Sequence, residues 1–260
     1  MLIILSMTTN IKDRIANKKS FLIPAVLFTT MITAFLLTPK PLVNRYLLVH
    51  STVALVDNVD IEWMGYTSQK IVALTFDDGP DPRFTPKILA ILAKDKIPAT
   101  FFVVGANATA YPGLVAAEVA AGHEVGNHTL SHVHLSRFKL NEISKQLSAA
   151  DRAIAKAAGQ SPRLFRPPYE ELNENILTAA RKSRKKIIMS TITLEHHTLI
   201  NPQDQARRVV NMVFPGAIIL AHDGRVNRTQ TVAALPYLIE GLKAKGYRIV
   251  AIKELLNKNL

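Results

Sequence analysis

Two adjacent carboxylates, Asp77 and Asp78, end an apolar run, Ile71-Val72-Ala73-Leu74, and are followed at once by Gly79-Pro80. A run of consecutive apolar residues reads as a strand buried on both faces of a parallel sheet. Paired negative charges at the end of such a strand are costly unless something offsets them. A metal ion would do so, with one Asp as ligand and the other as base; the same letters also spell an ordinary Asp-Gly turn. Further along, His128 and His132 stand four residues apart. On a helical turn that spacing puts both imidazoles on one face, and both can then reach one divalent ion at about 2.0–2.1 Å. Taken alone, such a pair is more often a surface coincidence. In Arg166-Pro167-Pro168-Tyr169 the prolines fix an extended backbone and remove two donors, leaving the Tyr169 amide as the first free N–H after Arg166. Arg166 could pair with a buried carboxylate, or be a solvated arginine in a proline-rich loop. His222, in Leu220-Ala221-His222-Asp223-Gly224, could serve as a general acid or be a satisfied loop histidine.

These groups need elements to position them. From Lys70 onward, strand-like and helical stretches alternate. Strands are predicted over 71–76, 99–104, 123–126, 163–166, 187–192, 217–221 and 247–250. Helices are predicted near 85–95, 109–121, 140–158, 173–184, 203–213, 229–245 and 252–258. Thr85 followed by Pro86 marks a helix start, as N-cap and N1, and Gly122, Gly159 and Gly246 stand where C-caps are expected. Seven β-then-α units imply a parallel sheet, as a barrel or doubly wound. The four chemical groups all fall just past the C-terminal ends of the first, third, fourth and sixth strands, the edge where parallel α/β folds gather their active sites. One shared site accounts for them more simply than four unrelated loops.

The ordered motifs TFDDGP at 75–80, HTLSH at 128–132, RPPY at 166–169 and LAH at 220–222 resemble those of the NodB-type polysaccharide deacetylases, carbohydrate esterase family 4. ATFFVVG at 99–105 and GHEVGNH at 122–128 are similar to the family as well. The resemblance runs from about Lys70 to Leu255. It implies a distorted (β/α)7 barrel and metal-dependent removal of N-acetyl groups from amino sugars. It further implies Asp77 as general base, with Asp78, His128 and His132 holding a divalent ion, zinc before cobalt. Arg166 would orient Asp77, the Tyr169 amide would help bind the oxyanion, and His222 would protonate the departing amine. The chemistry is coherent: an amide carbonyl is a poor electrophile that a Lewis acid must polarise, and the nitrogen leaves as an amine only if protonated.

One segment departs from the family pattern. After the fifth strand the family usually offers an Asp and a Trp, where this chain reads Met189-Ser190-Thr191-Ile192-Thr193-Leu194-Glu195-His196-His197. No Trp is then expected to line the acetyl pocket and no Asp to orient His222, with Glu195 a candidate substitute. His196 and His197 read as extra ligands or as loop histidines.

The chain has 260 residues, 48% of them hydrophobic and 20% charged, so a sizeable core can be buried and disorder is not indicated. There is no cysteine, so any metal must be held by His, Asp or Glu. The net charge of +12 favours an anionic partner. The one dense basic run, Arg181-Lys182-Ser183-Arg184-Lys185-Lys186, falls at a predicted helix end, where cations suit the dipole; with no nucleic-acid motif, nucleic acid is not an expected partner. Residues 20–39 carry no charge and as a helix would span about 30 Å, a bilayer core. Lys12, Arg14, Lys18 and Lys19 precede them, so the positive-inside rule puts residues 1–19 in the cytoplasm and the rest across the membrane. A cleaved signal peptide or a buried core helix are the rival readings of 20–39, and Met7 offers a second start. Residues 40–69 read as a juxtamembrane connector, with a short helix or strand around Tyr46 to Val56 and Trp63 packing on the domain at 70–260.

The expectation is therefore an α/β protein, one N-terminal transmembrane helix followed by a distorted (β/α)7 barrel, in the cell membrane with its catalytic domain extracytoplasmic. It would deacetylate an N-acetylated amino-sugar polymer or glycolipid of the envelope, peptidoglycan N-acetylglucosamine first. The rivals are a catalytically silent glycan-binding barrel, which the altered fourth motif favours, and an amidase or esterase on a non-sugar substrate.

Overall fold

A computed structural model describes residues 61–257. The proposed anchor at 20–39, the basic segment 1–19 and the first part of the connector lie outside the described residues. Among the described residues no helix is long and apolar enough to cross a membrane.

The strands are β1 (Ile61–Glu62), β2 (Ile71–Asp77), β3 (Thr100–Val103), β4 (Glu124–Asn127), β5 (Leu164–Phe165), β6 (Lys186–Ile188), β7 (Ile192–Thr193), β8 (Ile218–His222) and β9 (Arg248–Val250). The helices are α1 (Thr85–Lys94), α2 (Gly105–Ala110), α3 (Pro112–Ala120), α4 (Leu140–Ala158), α5 (Glu174–Lys182), α6 (Pro202–Met212), α7 (Thr229–Ala244) and α8 (Ile252–Leu255). Every ladder is parallel, in the order β1-β6-β5-β4-β3-β2-β8-β7, with β9 also on β2. The expected barrel is seen as a curled parallel sheet: β1 and β7 at its two ends share no ladder, and each is only two residues long.

All seven residues of β2 are buried, as its unbroken apolar run predicts. Its side chains alternate between two cores, as period two requires. Val72, Leu74 and Phe76 enter a large layer with Ile88, Leu92, Leu235 and Leu238 of the helices. Ile71 and Ala73 enter a smaller one inside the curl with Phe102, Leu164, Ile188 and Ile218. Phe76 stacks on Phe101 at 5.0 Å, and truncating either ring would cost about 3–5 kcal/mol. The inner face of β2 thus runs Ile71, Ala73, Thr75, Asp77, from apolar at its start to charged at its end. This gradient places polar chemistry at one edge of the sheet.

Several boundaries differ from the sequence reading. The strand predicted at 187–192 is two strands, β6 and β7; between them Met189 N–H bonds to Glu62 O and Thr191 N–H to Ile218 O. The helix predicted at 109–121 is two, broken at Tyr111 (φ −132°, ψ 56°) because Pro112 disfavours a helical residue before it. Thr85 is the first helical residue and not the N-cap, which is Phe84; the Thr85 hydroxyl is occupied by Asp81 N–H and Asp223. The final helix stops at Leu255. The sheet begins inside the stretch read as connector, since β1 pairs with β6 and Gly65 N–H bonds to Gly216 O at 2.8 Å. Trp63, in the same stretch, is half-buried.

Candidate active site

The two aspartates separate at the end of β2. Asp77 keeps strand geometry and faces the inside of the curl. There Arg166 Nη1 donates to its Oδ1 at 2.8 Å and to Thr75 Oγ1 at 2.8 Å. Arg166 is fully buried, as its neighbours require. Nε donates to Ile188 O, Nη2 donates to Met189 O, both at 3.0 Å, and the guanidinium lies over the Phe102 ring. The break between β6 and β7 supplies those carbonyls. An arginine so fully hydrogen-bonded tolerates burial because its charge meets Asp77.

Asp78 turns out of the strand with φ 78°, a left-handed conformation that an aspartate adopts at a cost. The backbone around it is tightly packed. A Cβ at Gly224 would come 2.2 Å from Asp78 O, and one at Gly79 would come 2.1 Å from Asp223 Oδ2, so both positions require glycine. Asn107 Nδ2 donates to Asp78 O at 2.8 Å. Asp78 Oδ2 accepts from Arg228 Nη2 at 3.0 Å. Its Oδ1 is buried and receives no hydrogen bond, while His132 Nε2 lies 2.9 Å and His128 Nε2 3.7 Å from it.

The two histidines do not share a helical turn, contrary to the spacing argument. Residues 128–132 follow β4 as an irregular loop in which Thr129 and His132 have φ of 68° and 51°. The loop is pinned by Asn127, whose Oδ1 accepts from Thr129 N–H at 2.7 Å and whose Nδ2 reaches Asp151 of α4 at 2.8 Å. The start of α2 also bonds to it, through Gly105 N–H to Thr129 O and Ala106 N–H to Leu130 O, both 2.9 Å. His128 Nδ1 lies 2.7 Å from Arg166 O; a carbonyl only accepts, so that nitrogen carries the proton and Nε2 presents its lone pair. One donor atom from each of Asp78, His128 and His132 lies within 4.8 Å of the others. An unbonded buried carboxylate oxygen facing two imidazoles is a donor set that fits a tetrahedral divalent ion with an open position. Burial alone would raise the Asp78 carboxyl, but His132, His128 and His222 outweigh it and hold the group at about 2. Burial pushes His128 down, against the pull of Asp77 and Asp78.

His222 ends β8 directly across from Asp77. Its Nδ1 lies 3.1 Å from Glu195 Oε2, and its backbone N–H donates to Glu195 Oε1 at 3.0 Å. Thr231 Oγ1 donates to the same Oε1 at 2.7 Å. The partner that the departing segment called into question is therefore present: Glu195 follows β7, the strand beside β8. Burial works against protonation of His222, but the hydrogen bond and charge of Glu195, with Asp77, raise it above the ordinary histidine value. Burial would raise Glu195 in turn, and His222 and Thr231 bring it down.

Tyr169 stands at the mouth with φ 58° and 49% of its surface exposed. Its ring stacks on His134 at 3.8 Å and meets His132 edge-on at 4.8 Å. His196 and His197 stack on each other at 4.9 Å in an exposed stretch and do not join the cluster at Asp78. The sequence reading missed Thr75, Asn107, Arg225 and Arg228. Thr75 had a signal, since it shares its strand face with Asp77 by period two. The other three come from segments 29 to 150 residues away in the chain, and no spacing rule reaches them.

Comparison with known proteins identifies the family. The polysaccharide deacetylase family profile matches residues 64–188. A peptidoglycan-N-acetylglucosamine deacetylase of Bacillus cereus is 35% identical over 198 residues, 75% of this chain and 92% of that protein. A chitooligosaccharide deacetylase of Bradyrhizobium sp. is 38% identical over 204 residues, 71% and 90% of the two chains. Among solved structures, a Bacillus anthracis protein described as a pseudoenzyme of carbohydrate esterase family 4 superposes with a TM-score of 0.72 at 30% identity, covering 77% of this chain and 70% of that one. With its motifs gathered at one sheet edge and its likeness running along nearly the full length of two named relatives, the chain belongs to the polysaccharide deacetylase family of hydrolases.

Proposed function

We propose that the protein removes N-acetyl groups, as acetate, from an amino-sugar polymer of the cell envelope, with peptidoglycan N-acetylglucosamine as the leading substrate. The observation that carries this reading is the division between the paired aspartates: Asp77 is matched to Arg166, while Asp78 is aimed at two imidazoles. Asp78, His128 and His132 would hold a divalent ion, zinc in preference to cobalt. When bound, that ion supplies the polarisation an acetamide carbonyl needs and makes a nearby water more acidic.

This chain's own residues do the rest. Asp77 takes the proton of the attacking water, and Arg166 keeps its carboxylate fixed and charge-matched. The Tyr169 N–H follows two prolines and donates to no protein acceptor among the described residues, which leaves it for the oxygen that becomes negative as water adds. His222, paired with Asp77 across the β2–β8 ladder, holds a proton and delivers it to the nitrogen as the C–N bond breaks. Glu195 keeps that imidazole protonated and oriented. Residues 20–39 would anchor the chain with this domain outside the cytoplasm, and the net charge of +12 suits an anionic envelope polymer.

The test is acetate release from peptidoglycan glycan strands and chito-oligosaccharides by the protein stripped with a chelator and then resupplied with zinc. Zinc-restored release supports the reading. Retention of both polymers without any acetate release would replace it with the silent, glycan-binding barrel.

A further inference from the structure

We infer that Arg225 is a specificity residue whose guanidinium takes a carboxylate on the sugar beside the acetamido sugar being hydrolysed. The inference rests on the deacetylase reading and adds to it the charge of the neighbouring unit.

Gly224 packs against Asp78 O so closely that no side chain fits there, and the next residue is delivered to the mouth of the site. Arg225 holds a left-handed backbone, φ 67°, and its side chain is exposed. Such a conformation costs an arginine roughly 1 kcal/mol or more, and glycine would adopt it freely. Among the described residues Arg225 makes no ion pair with a carboxylate. Its Nη1 lies 2.8 Å from His132 Nδ1 and 3.4 Å from His132 Nε2, its Nη2 donates to Tyr169 Oη at 3.5 Å, and its Cζ stands 5.8 Å over the Tyr169 ring. Arg228, three residues on, is by contrast tied down by Asp78 and by Gly224 O at 2.9 Å.

An arginine only donates, so Arg225 can hold His132 Nδ1 only while that nitrogen keeps its lone pair. With Nε2 given to a divalent ion, a neutral His132 ring would carry its proton on Nδ1 and could not accept from Arg225. The guanidinium would then be without its one short acceptor. Tyr169 still holds it at the rim, where the acceptor that restores both hydrogen bonding and charge is a carboxylate, matched two-pronged by a guanidinium. Among acetamido-sugar polymers, one whose units alternate with a lactyl-ether sugar carries that group next to the reacting residue wherever no peptide is attached to the lactyl carboxyl; an unsubstituted chito-oligosaccharide does not.

The experiment compares kcat/KM for zinc-loaded native protein, Arg225→Gly and Arg225→Lys on two peptide-free glycan tetrasaccharides. One has free lactyl carboxylates and the other has them converted to carboxamides. Zinc affinity of each protein is read separately by chelator competition. Glycine suits the backbone here, so Arg225→Gly keeps the fold. A charge-assisted pair predicts that the native protein prefers the carboxylate by about 10- to 100-fold. Arg225→Gly should erase that preference, Arg225→Lys should keep part of it, and neither should weaken zinc binding. The inference is overturned if the native protein shows no preference, if Arg225→Gly lowers both substrates equally, or if it loses zinc. Acetate from neither of these substrates nor from a chito-oligosaccharide would remove the deacetylase reading and the inference together; release from the chito-oligosaccharide only, or from both tetrasaccharides without preference, removes the inference alone.

Discussion

The two edges of the sheet handle buried polar groups differently. At the edge where the strands begin, His123 precedes β4 and accepts from Ala99 N–H at 3.2 Å, and buried Lys185 precedes β6 and donates to Asp151 at 2.6 Å and to Pro162 O. These groups close on protein partners and join neighbouring segments. At the edge where the strands end, Asp78 Oδ1 and Asp223 Oδ1 are buried without a hydrogen bond. Six non-glycine residues there, Asp78, Thr129, His132, Tyr169, Glu170 and Arg225, have positive φ, whereas only Lys96 and Arg184 do elsewhere among the described residues. Each such residue costs roughly 1–3 kcal/mol. Asp223 sits under Gly79 with its carboxyl pushed up to about 7, chiefly by burial and against the Thr85 hydroxyl. The beginning edge holds the fold together, and the ending edge uses part of that stability to keep side chains where a substrate needs them.

The contrast can be broken most sharply at the metal ligands. Asp78→Ala, His128→Ala and His132→Ala should each abolish bound zinc, by elemental analysis, and reduce acetate release to background. Asp77→Asn should keep zinc and still lose activity by about 10²–10⁴-fold. Equal zinc loss in all four would show that the two aspartates do not divide their roles.

His222→Ala should lower kcat by about 10²–10⁴-fold with zinc retained. Its effect on an activated aryl acetate should be much smaller, because a phenolate leaves without a proton. Equal losses on both substrates would take the acid role away from His222.

Glu195→Gln should act less severely and through pH. His222 is the acid while protonated, and Glu195 raises it, so native activity should persist above the ordinary histidine range. Removing the charge lowers His222, and the basic limb of the kcat profile should move to lower pH. An unmoved limb would leave Glu195 with a packing role only.

At the beginning edge the effect on catalysis should be smallest. Burial pushes His123 down to about 4, so as pH falls from about 6.5 towards 4 the unfolded chain takes a proton that the folded chain refuses, and stability declines. His123→Leu should flatten that decline in denaturant titrations. It should cost about 1–3 kcal/mol at neutral pH, because Ala99 N–H loses its acceptor, and leave the kcat profile in place. A change in kcat as large as that of Glu195→Gln would mean that the edges are not independent.

The central strand, the helix at Leu140–Ala158 and the placement of all four motifs at or just past the C-terminal ends of strands were legible in the sequence. Periodicity and turn residues act over a few neighbours, and those neighbours decide such features. Local rules gave out where the backbone departs from regular structure. The histidine pair was assigned to a helical turn because i, i+4 is the local rule for adjacency; the loop instead brings the rings together through left-handed residues that Asn127 and α2 hold in place. The break at Tyr111 was readable from Pro112 and was missed, whereas the break at Met189 was not, because it depends on Arg166 needing carbonyls.

What the sequence determined by itself is the set of reacting groups and the edge at which they meet, since Asp77, His128, Arg166 and His222 each follow a run whose apolar pattern fixes a buried strand. Tertiary structure alone decided how those groups are paired: Asp77 with Arg166, Asp78 with two imidazoles and Arg228, His222 with Glu195, and His132 with Arg225. Charge and hydrogen-bond energies fall off within a few ångströms, and only the curl of the sheet brings residues 27 to 150 positions apart to that range.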